Sequence, residues 1–453
     1  MKLLLVASAA AATSVPVISA DLGGPPGAAP DGASLADVMG SAWPAAATLV
    51  ALATLGMLLP PELLLTGAVV LGHGFGIAAL QVPVAGPLLI SDVLLLVYLL
   101  RVVAERGTSA ERNGSVNLWL AMFLGWSFLA TLYAGLTVTP LLRIAAYCAV
   151  FVLLSCRWVD RRLVYYGVLC YALVNLVGGV LLGQPRLFGV DIGDPSQTGA
   201  LLLAALCPLL TSELRFKGRW FVGAVLFCGI FLTQTRGVWF ATVVVLVVWA
   251  QKKLSAVRIA AILAGLGLAG LQMVGLVTQW LGLNSFSEVL RTQSVVNGIR
   301  SGLENPVFGS GWGHVSSMDH FQVAGWNPIR HVMPYNLFVN VFASVGLPAL
   351  LALALFLGAL LRRLACRRDA PLLFTVAVFA MSLTEMTVYA GSTLTLIFFV
   401  YAGMGLGPAV LADRGIVRMR NPTAGHRLTA LRTDRPGELR TEAGVRRKAS
   451  ATM

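Results

Sequence analysis

Ala349-Leu350-Leu351-Ala352-Leu353-Ala354-Leu355-Phe356-Leu357-Gly358-Ala359-Leu360-Leu361-Arg362-Arg363 closes an apolar run that begins at Pro334 and carries no charge before its arginine pair. About 18 or more such residues cross roughly 30 Å of hydrocarbon as a helix, because lipid offers no partner to an open backbone group. The arginines mark the end held in the cytoplasm, where membrane proteins concentrate Lys and Arg. About thirteen such runs follow residue 41, at 42–59, 62–80, 85–104, 118–138, 140–156, 163–183, 198–213, 220–234, 237–250, 259–280, 334–361, 370–390 and 393–412. The reading is an all-α polytopic membrane protein with about 12–14 transmembrane helices and one larger extracytoplasmic loop.

Composition agrees. With 57% hydrophobic and 12% charged residues and a mean hydropathy of +0.81, the 453-residue chain excludes a soluble domain with a polar shell. A net charge of +13 would suggest nucleic acid in a soluble protein. Here the basic residues fall in the connections 101–112, 157–162, 215–219, 252–258 and 362–368 and in the tail, so they report topology, and membrane lipid rather than nucleic acid is the partner. The six cysteines lie in apolar runs or in the basic connection after 361, which offers neither a disulfide framework nor a CxxC metal site. They read as small core residues.

Three regions follow from this. Residues 1–41 are a signal-like or anchor segment with a Pro- and small-residue spacer, 42–412 form the transmembrane domain, and 413–453 form a basic cytoplasmic tail. The alternation puts residue 41 outside, which requires a spanning or cleaved segment at 3–20, or else a membrane hairpin near Pro60-Pro61. The connections at 184–197, around 235–237, at 281–333 and near 391 are then extracytoplasmic. Residues 281–333 form the long loop and hold three of the five histidines, His314, His320 and His331.

Six arginines escape the cytoplasmic rule: Arg143, Arg186, Arg236, Arg291, Arg300 and Arg330. An arginine within a membrane helix costs about 2.5–3.5 kcal/mol on insertion scales, so it usually has a partner. Arg236 sits in Thr233-Gln234-Thr235-Arg236-Gly237, a polar pentapeptide wedged between two apolar runs. Its planar guanidinium matches phosphate bidentately, which an ammonium does not. Snorkelling, or an ion pair with Glu385 or Asp92, accounts for the same residue, and solvation in a loop accounts for Arg300 and Arg330. In the connection from Arg186 to Gln197, Asp194 or Ser196 is placed to cap the helix that follows, and the same polarity would suit the floor of a cavity.

Thr233-Gln234-Thr235-Arg236-Gly237 resembles the Ser-x-Ser-Arg-Gly signature of the O-antigen ligase and polymerase superfamily of bacterial membrane glycosyltransferases. Arg291 followed by Pro306 and Phe308-Gly309-Ser310-Gly311-Trp312-Gly313 is similar to its Arg…Pro-x-x-Gly-x-Gly element. Tyr335-Asn336-Leu337-Phe338 running into Ser344-Val345-Gly346-Leu347 is similar to its His-Asn-x-x-Leu…Gly-Leu element, and Arg186 to Ser196 to its Gly-x-x-x-x-Pro-Asn connection. The resemblance covers about residues 90–410. It implies a multi-pass protein of the bacterial inner (cytoplasmic) membrane whose active site faces the periplasm or exterior. The implied reaction takes a glycan from an undecaprenyl-diphosphate-linked donor to the hydroxyl of a glycan or lipid acceptor, in polymerisation or ligation of an exopolysaccharide or O-antigen. It is inverting and needs no cofactor, nucleotide or metal. Arg236 and Arg291 are implied to hold the diphosphate. Arg186, Arg143, Arg300, His314, Tyr335, Asn336 and Gly311 are the further residues expected around the substrates.

One departure matters. Tyr335 stands where many members have histidine, so His331 is expected to supply the imidazole, with His314 and His320 as alternatives. Pro334 is expected at the first turn of the following helix, leaving His331 in the loop before it. Physical chemistry alone points the same way: leaving-group charge needs fixed cations, and an acceptor hydroxyl benefits from a base. The Gly309, Gly311 and Gly313 run would let backbone approach a substrate, though an ordinary tight turn explains it too. No strand precedes it, so it is not a dinucleotide fingerprint. Gly72-His73-Gly74 reads as helix packing. The rival class is a transporter or flippase of an anionic or lipid-linked solute, using the same arginines as a cage near mid-membrane.

Overall fold

The computed structural model describes residues 54, 58–71, 90–104, 114–136, 138–157, 159–189, 194–251, 255, 257–259, 261–262, 264–265, 285–312, 334–385, 387 and 392–408. The leader and spacer at 1–41, His73, most of the run at 259–280, Arg330 and the basic tail at 413–453 lie outside them. Every element described is a helix: α1 (Pro61–Val70), α2 (Ile90–Ala104), α3 (Gly114–Tyr133), α4 (Thr139–Cys156), α5 (Arg161–Leu181), α6 (Pro195–Leu210), α7 (Arg219–Leu232), α8 (Arg236–Ala250), α9 (Ser285–Glu304), α10 (Leu337–Leu364), α11 (Ala370–Ser382) and α12 (Thr393–Leu406). Three of them, α3, α5 and α10, are long and apolar enough to cross a membrane, and seven apolar helices of 10–17 residues accompany them.

Local chemistry sets several helix starts. Asp160, Asp194, Asn336 and Asp369 each accept a backbone N–H of the first turn, and Pro195 and Pro371 stand where the missing N–H is harmless. Of the two expected caps for α6, the structure uses Asp194, whose Oδ1 accepts Ser196 N at 2.8 Å. Pro334 is a correction. It lies outside α10, because the Asn336 side chain captures Phe338 N and Val339 N at 2.9 and 3.1 Å and so starts the helix later.

Three helices form the centre. Every residue of α12, every residue of α11 but Phe379 and nearly every residue of α6 is buried, and Tyr401 Oη of α12 donates to Ala204 O of α6 at 3.1 Å. The peripheral helices expose leucines and valines such as Leu96, Leu100, Leu132, Leu181, Leu351 and Leu355, as expected where lipid is the solvent. At one end of the bundle, Arg161 pairs with Asp369 at 3.1 Å and Glu213 at 3.9 Å, and Glu213 also accepts Ala370 N at 2.6 Å. Arg161 donates to Met404 O, and Arg367 donates to Gly405 O and, at 2.8 Å, to Gly407 O. The basic connections after α4, α6 and α10 therefore meet at that end. The polar connections after α5, α7 and α11 meet at the other.

Two expectations about the chain between α8 and α10 change. The segment expected as a loop at 281–333 contains the 20-residue α9, which packs along the first half of α10: a Cβ on Gly298 would meet Pro334 and Val339 within 2.7 Å, and one on Gly302 would meet Phe342 at 2.4 Å. The run expected to be one helix at 334–361 is broken at Gly346, whose φ of 83° and ψ of 179° are open essentially to glycine alone. The break leaves the carbonyls of Ala343 and Ser344 without helical partners, and the glycine-rich loop supplies them. Ser310 N donates to Ala343 O at 2.9 Å and Gly311 N to Ser344 O at 2.7 Å, while Leu347 N returns to Pro306 O at 2.8 Å. Both glycines at the crossing, Gly309 and Gly346, have positive φ, and a Cβ on either would overlap the other strand's backbone. The loop is clamped from the far side by α3: Phe308 stacks on Trp126 and Tyr133, Trp126 Nε1 donates to Val307 O at 3.1 Å, and Trp312 N donates to Thr131 Oγ1 at 3.1 Å.

Candidate active site

The turn between α7 and α8 is where the first arginines meet. Thr233, Gln234 and Thr235 make a tight reversal in which Gln234 takes a φ of 51°, and the buried Thr233 and Thr235 hydroxyls bond back to Ile230 O and Thr233 O. Arg186, from the connection after α5, lies across this turn: Nε donates to Thr233 O at 2.8 Å and Nη2 to Thr235 Oγ1 at 3.3 Å. Gln234 Nε2 returns to Pro185 O at 3.3 Å. Arg236 opens α8, half-buried in the same turn.

Across from this turn, Arg291 of α9 reaches Glu385 with Nη1 2.8 Å from Oε1. The Arg291 side chain is 32% exposed and that of Glu385 only 7%, so the arginine faces the opening and the acid its floor. Tyr335 stacks beneath the same guanidinium, 5.2 Å from ring centroid to Cζ, and its backbone N–H donates to Ser294 Oγ at 3.4 Å. Glu385 stands on the turn after α11, because that helix stops at Ser382 rather than running to 390 as its apolar sequence suggests. A Cβ on Gly237 would lie 3.1 Å from Glu385 Cγ, which sets the carboxylate against the first turn of α8.

Three arginines from three separate segments thus share one field. Burial lowers the pKa of Arg186, the positive charge of Arg291 lowers it further and Arg236 adds to this, while Asp194 and Glu385 oppose it. Burial raises the phenol of Tyr335, against the pull of Arg291. Burial also raises Glu385, and Arg291 opposes the shift. Such a site attracts a ligand that carries more than one negative charge.

The other sequence candidates divide. Of the two acids considered for Arg236, Asp92 of α2 pairs with Arg143 at 3.0 Å and Glu385 with Arg291. Arg300 is not brought to the cluster. Nine positions beyond Arg291 is about two and a half turns, which puts it on the opposite face of α9, where it is exposed and sits 3.4 Å from Glu304. Arg300→Ala is expected to leave the thermal midpoint in detergent nearly unchanged, since an exposed i,i+4 pair is worth only ~0.5 kcal/mol of stability; melting curves beside Arg291→Ala check this. Asn336 has its oxygen on the α10 cap and its Nδ2 on Leu383 O at 2.9 Å, so it ties the Tyr335 side of the site to the Glu385 turn. The Gly311 N–H is taken by Ser344 O, so that amide belongs to the wedge in the α10 break. His314, His320 and His331 lie outside the described residues.

Sequence reasoning named Glu385 only as one partner for Arg236. The signal that could have placed it is a lone acid five residues before a run's end, beside Thr384 and near Thr387, where an apolar helix has no need of one. Residues 221–354 match the family model for O-antigen ligases, consistent with the O-antigen ligase/polymerase superfamily. No curated protein matches the chain. The match takes in Arg236, Arg291, the glycine loop, Tyr335, Asn336 and the break at Gly346, while Arg186 and Glu385 fall outside it.

Proposed function

We propose that the chain transfers a glycan from an undecaprenyl-diphosphate donor to an acceptor hydroxyl at the extracytoplasmic membrane face, as a polymerase or ligase of surface polysaccharide. The observation that carries the reading is the convergence of Arg186, Arg236 and Arg291 at the end of the bundle opposite the basic connections. The similarity of residues 221–354 to O-antigen ligases supports glycan transfer of this general type. Breaking the bond between an anomeric carbon and a diphosphate leaves negative charge on the departing oxygen. Preset guanidinium groups in a partly dry site stabilise that charge without reorganising as it forms. No step requires a metal in this reading, because the arginines supply the cationic field. The aromatic face of Tyr335 and the ring-stacked loop under α3 hold the arginine side of the site in place.

The test supplies purified protein with an undecaprenyl-diphosphate oligosaccharide in detergent, with and without a lipid-anchored glycan acceptor. A ladder of glycan lengths identifies a polymerase and a single shifted acceptor band a ligase. Absence of any new glycosidic bond with either acceptor, while the donor still binds, would overturn the reading.

A further inference from the structure

Glu385 differs from Asp194, Asp369 and Glu213 in what holds it. Asp194 accepts Ser196 N and Oγ, Asp369 accepts Leu372 N besides Arg161, and Glu213 accepts Ala370 N and Thr211 Oγ1. Those carboxylates are built into backbone, and each is fixed by the helix it caps or joins. Glu385 is 6% exposed, and among the described residues its Oε1 is met by the Arg291 guanidinium at 2.8 Å and by no backbone N–H. A buried carboxylate without backbone N–H donors is a poor structural element, because a movable side chain is what offsets its lost hydration. It lies against the first turn of α8, and the charged and titratable groups around it are Arg291 from α9, Arg186 and Asp194 from the α5–α6 connection, Arg236 at the start of α8 and Tyr335 before α10.

We propose that Glu385 is an exchanging general base: at rest its carboxylate holds Arg291, and when a diphosphate draws that guanidinium away, the freed carboxylate takes the proton of the attacking hydroxyl. The inference rests on the glycan-transfer reading. The hydroxyl oxygen forms a bond to the anomeric carbon as the bond from that carbon to the diphosphate oxygen breaks. The electron pair leaves on the diphosphate, where the arginines neutralise it, and the hydroxyl proton passes to Glu385 and then to water once the product departs. Loss of Arg291 and arrival of a polyanion both raise the carboxylate's proton affinity. The base therefore becomes effective only when the donor is seated, which gives an ordered reaction with the donor first.

The test uses the full-length protein and Glu385→Gln, which keeps the side-chain shape. Turnover should fall by about 10²–10⁴-fold, the usual contribution of a positioned base. Undecaprenyl diphosphate, titrated as a binding probe, should bind as tightly as to wild type or more tightly, because Arg291 has lost its competing anion. The wild-type rate should decline as pH falls through the raised Glu385 value, and this acidic limb should be missing from the residual Gln activity. Glu385→Asp, which retains a carboxylate, should recover part of the rate together with the limb. Wild-type turnover in the Gln variant, or parallel loss of probe binding and rate, overturns the proposal. If the Gln variant does not fold, the wild-type and Asp profiles decide: an acidic limb in both supports the base, and flat profiles overturn it. A wild type that binds the probe but forms no glycosidic bond defeats the glycan-transfer reading itself; an active wild type with an active Gln variant defeats only the role of Glu385.

Discussion

Arg291→Lys is expected to lower glycosyl-transfer kcat on the order of 10²-fold or more, and Arg236→Lys to do the same, in the donor assay described above. Removing one preset donor to a developing oxyanion generally costs about 2.7–4 kcal/mol of transition-state stabilisation. A lysine keeps the positive charge but not the planar fork, and at position 291 it also leaves the Tyr335 face and the 2.8 Å contact with Glu385. The two substitutions separate in their resting-state consequences. Arg291→Lys loosens the ion pair that holds Glu385, so its acidic pH limb should move up, since Arg291 is what opposes the burial shift. Arg236→Lys touches the α8 start and should leave that limb in place. Wild-type rates in both variants would remove these arginines as ligands of the diphosphate.

Gly346→Val is expected to abolish the folded protein or to lower its thermal midpoint in detergent steeply, whereas Gly358→Ala on the same helix should be neutral or slightly stabilising. Residue 346 holds φ 83° and ψ 179°, and a Cβ there would lie 2.1 Å from Val307 O. Strain in that backbone region alone is worth about 1–3 kcal/mol. Overlap with a fixed backbone oxygen adds to it, and expelling the wedge would leave the Ala343 and Ser344 carbonyls unpaired in an apolar setting. Against a typical margin of about 5–15 kcal/mol this is a large fraction. Gly358 is exposed, with open space where a Cβ would go, so alanine there gains up to about 1 kcal/mol of helix propensity. Equal melting of the two variants would remove the wedge as a structural element. Loss of stability at 346 without change at 358 also predicts reduced activity, since the wedge ties α9, which carries Arg291, to α10 and α3.

Much of the candidate site was legible because its residues break local rules. Arginines outside the basic connections and a polar pentapeptide between two apolar runs stand out against hydropathy, and Arg186, Arg236 and Arg291 do converge. Asp194 was legible as a cap from the Asp-Pro-Ser order. Arg300 carries the same chemical label as Arg291 on the same helix, and only its rotation about the helix axis separates them. Glu385 was visible as an acid but not as the partner of Arg291, and Asp92 likewise awaited Arg143. The glycine run could be read as a ligand cradle or a turn, and its amides turned out to complete a broken helix.

The sequence by itself determined the class of this protein: helices wherever the structure is described, apolar enough for a membrane, with basic connections on every second turn. These are local matters, settled by whether a stretch can satisfy its own backbone away from water and by where charge is tolerated. Only the tertiary structure decided which charges pair, that the segment after α8 folds as a helix along α10, and that α10 is two helices joined at Gly346. Those depend on which helices become neighbours and how each is rotated about its own axis. Packing settles both only when distant segments meet, so hydropathy read along one run does not contain them.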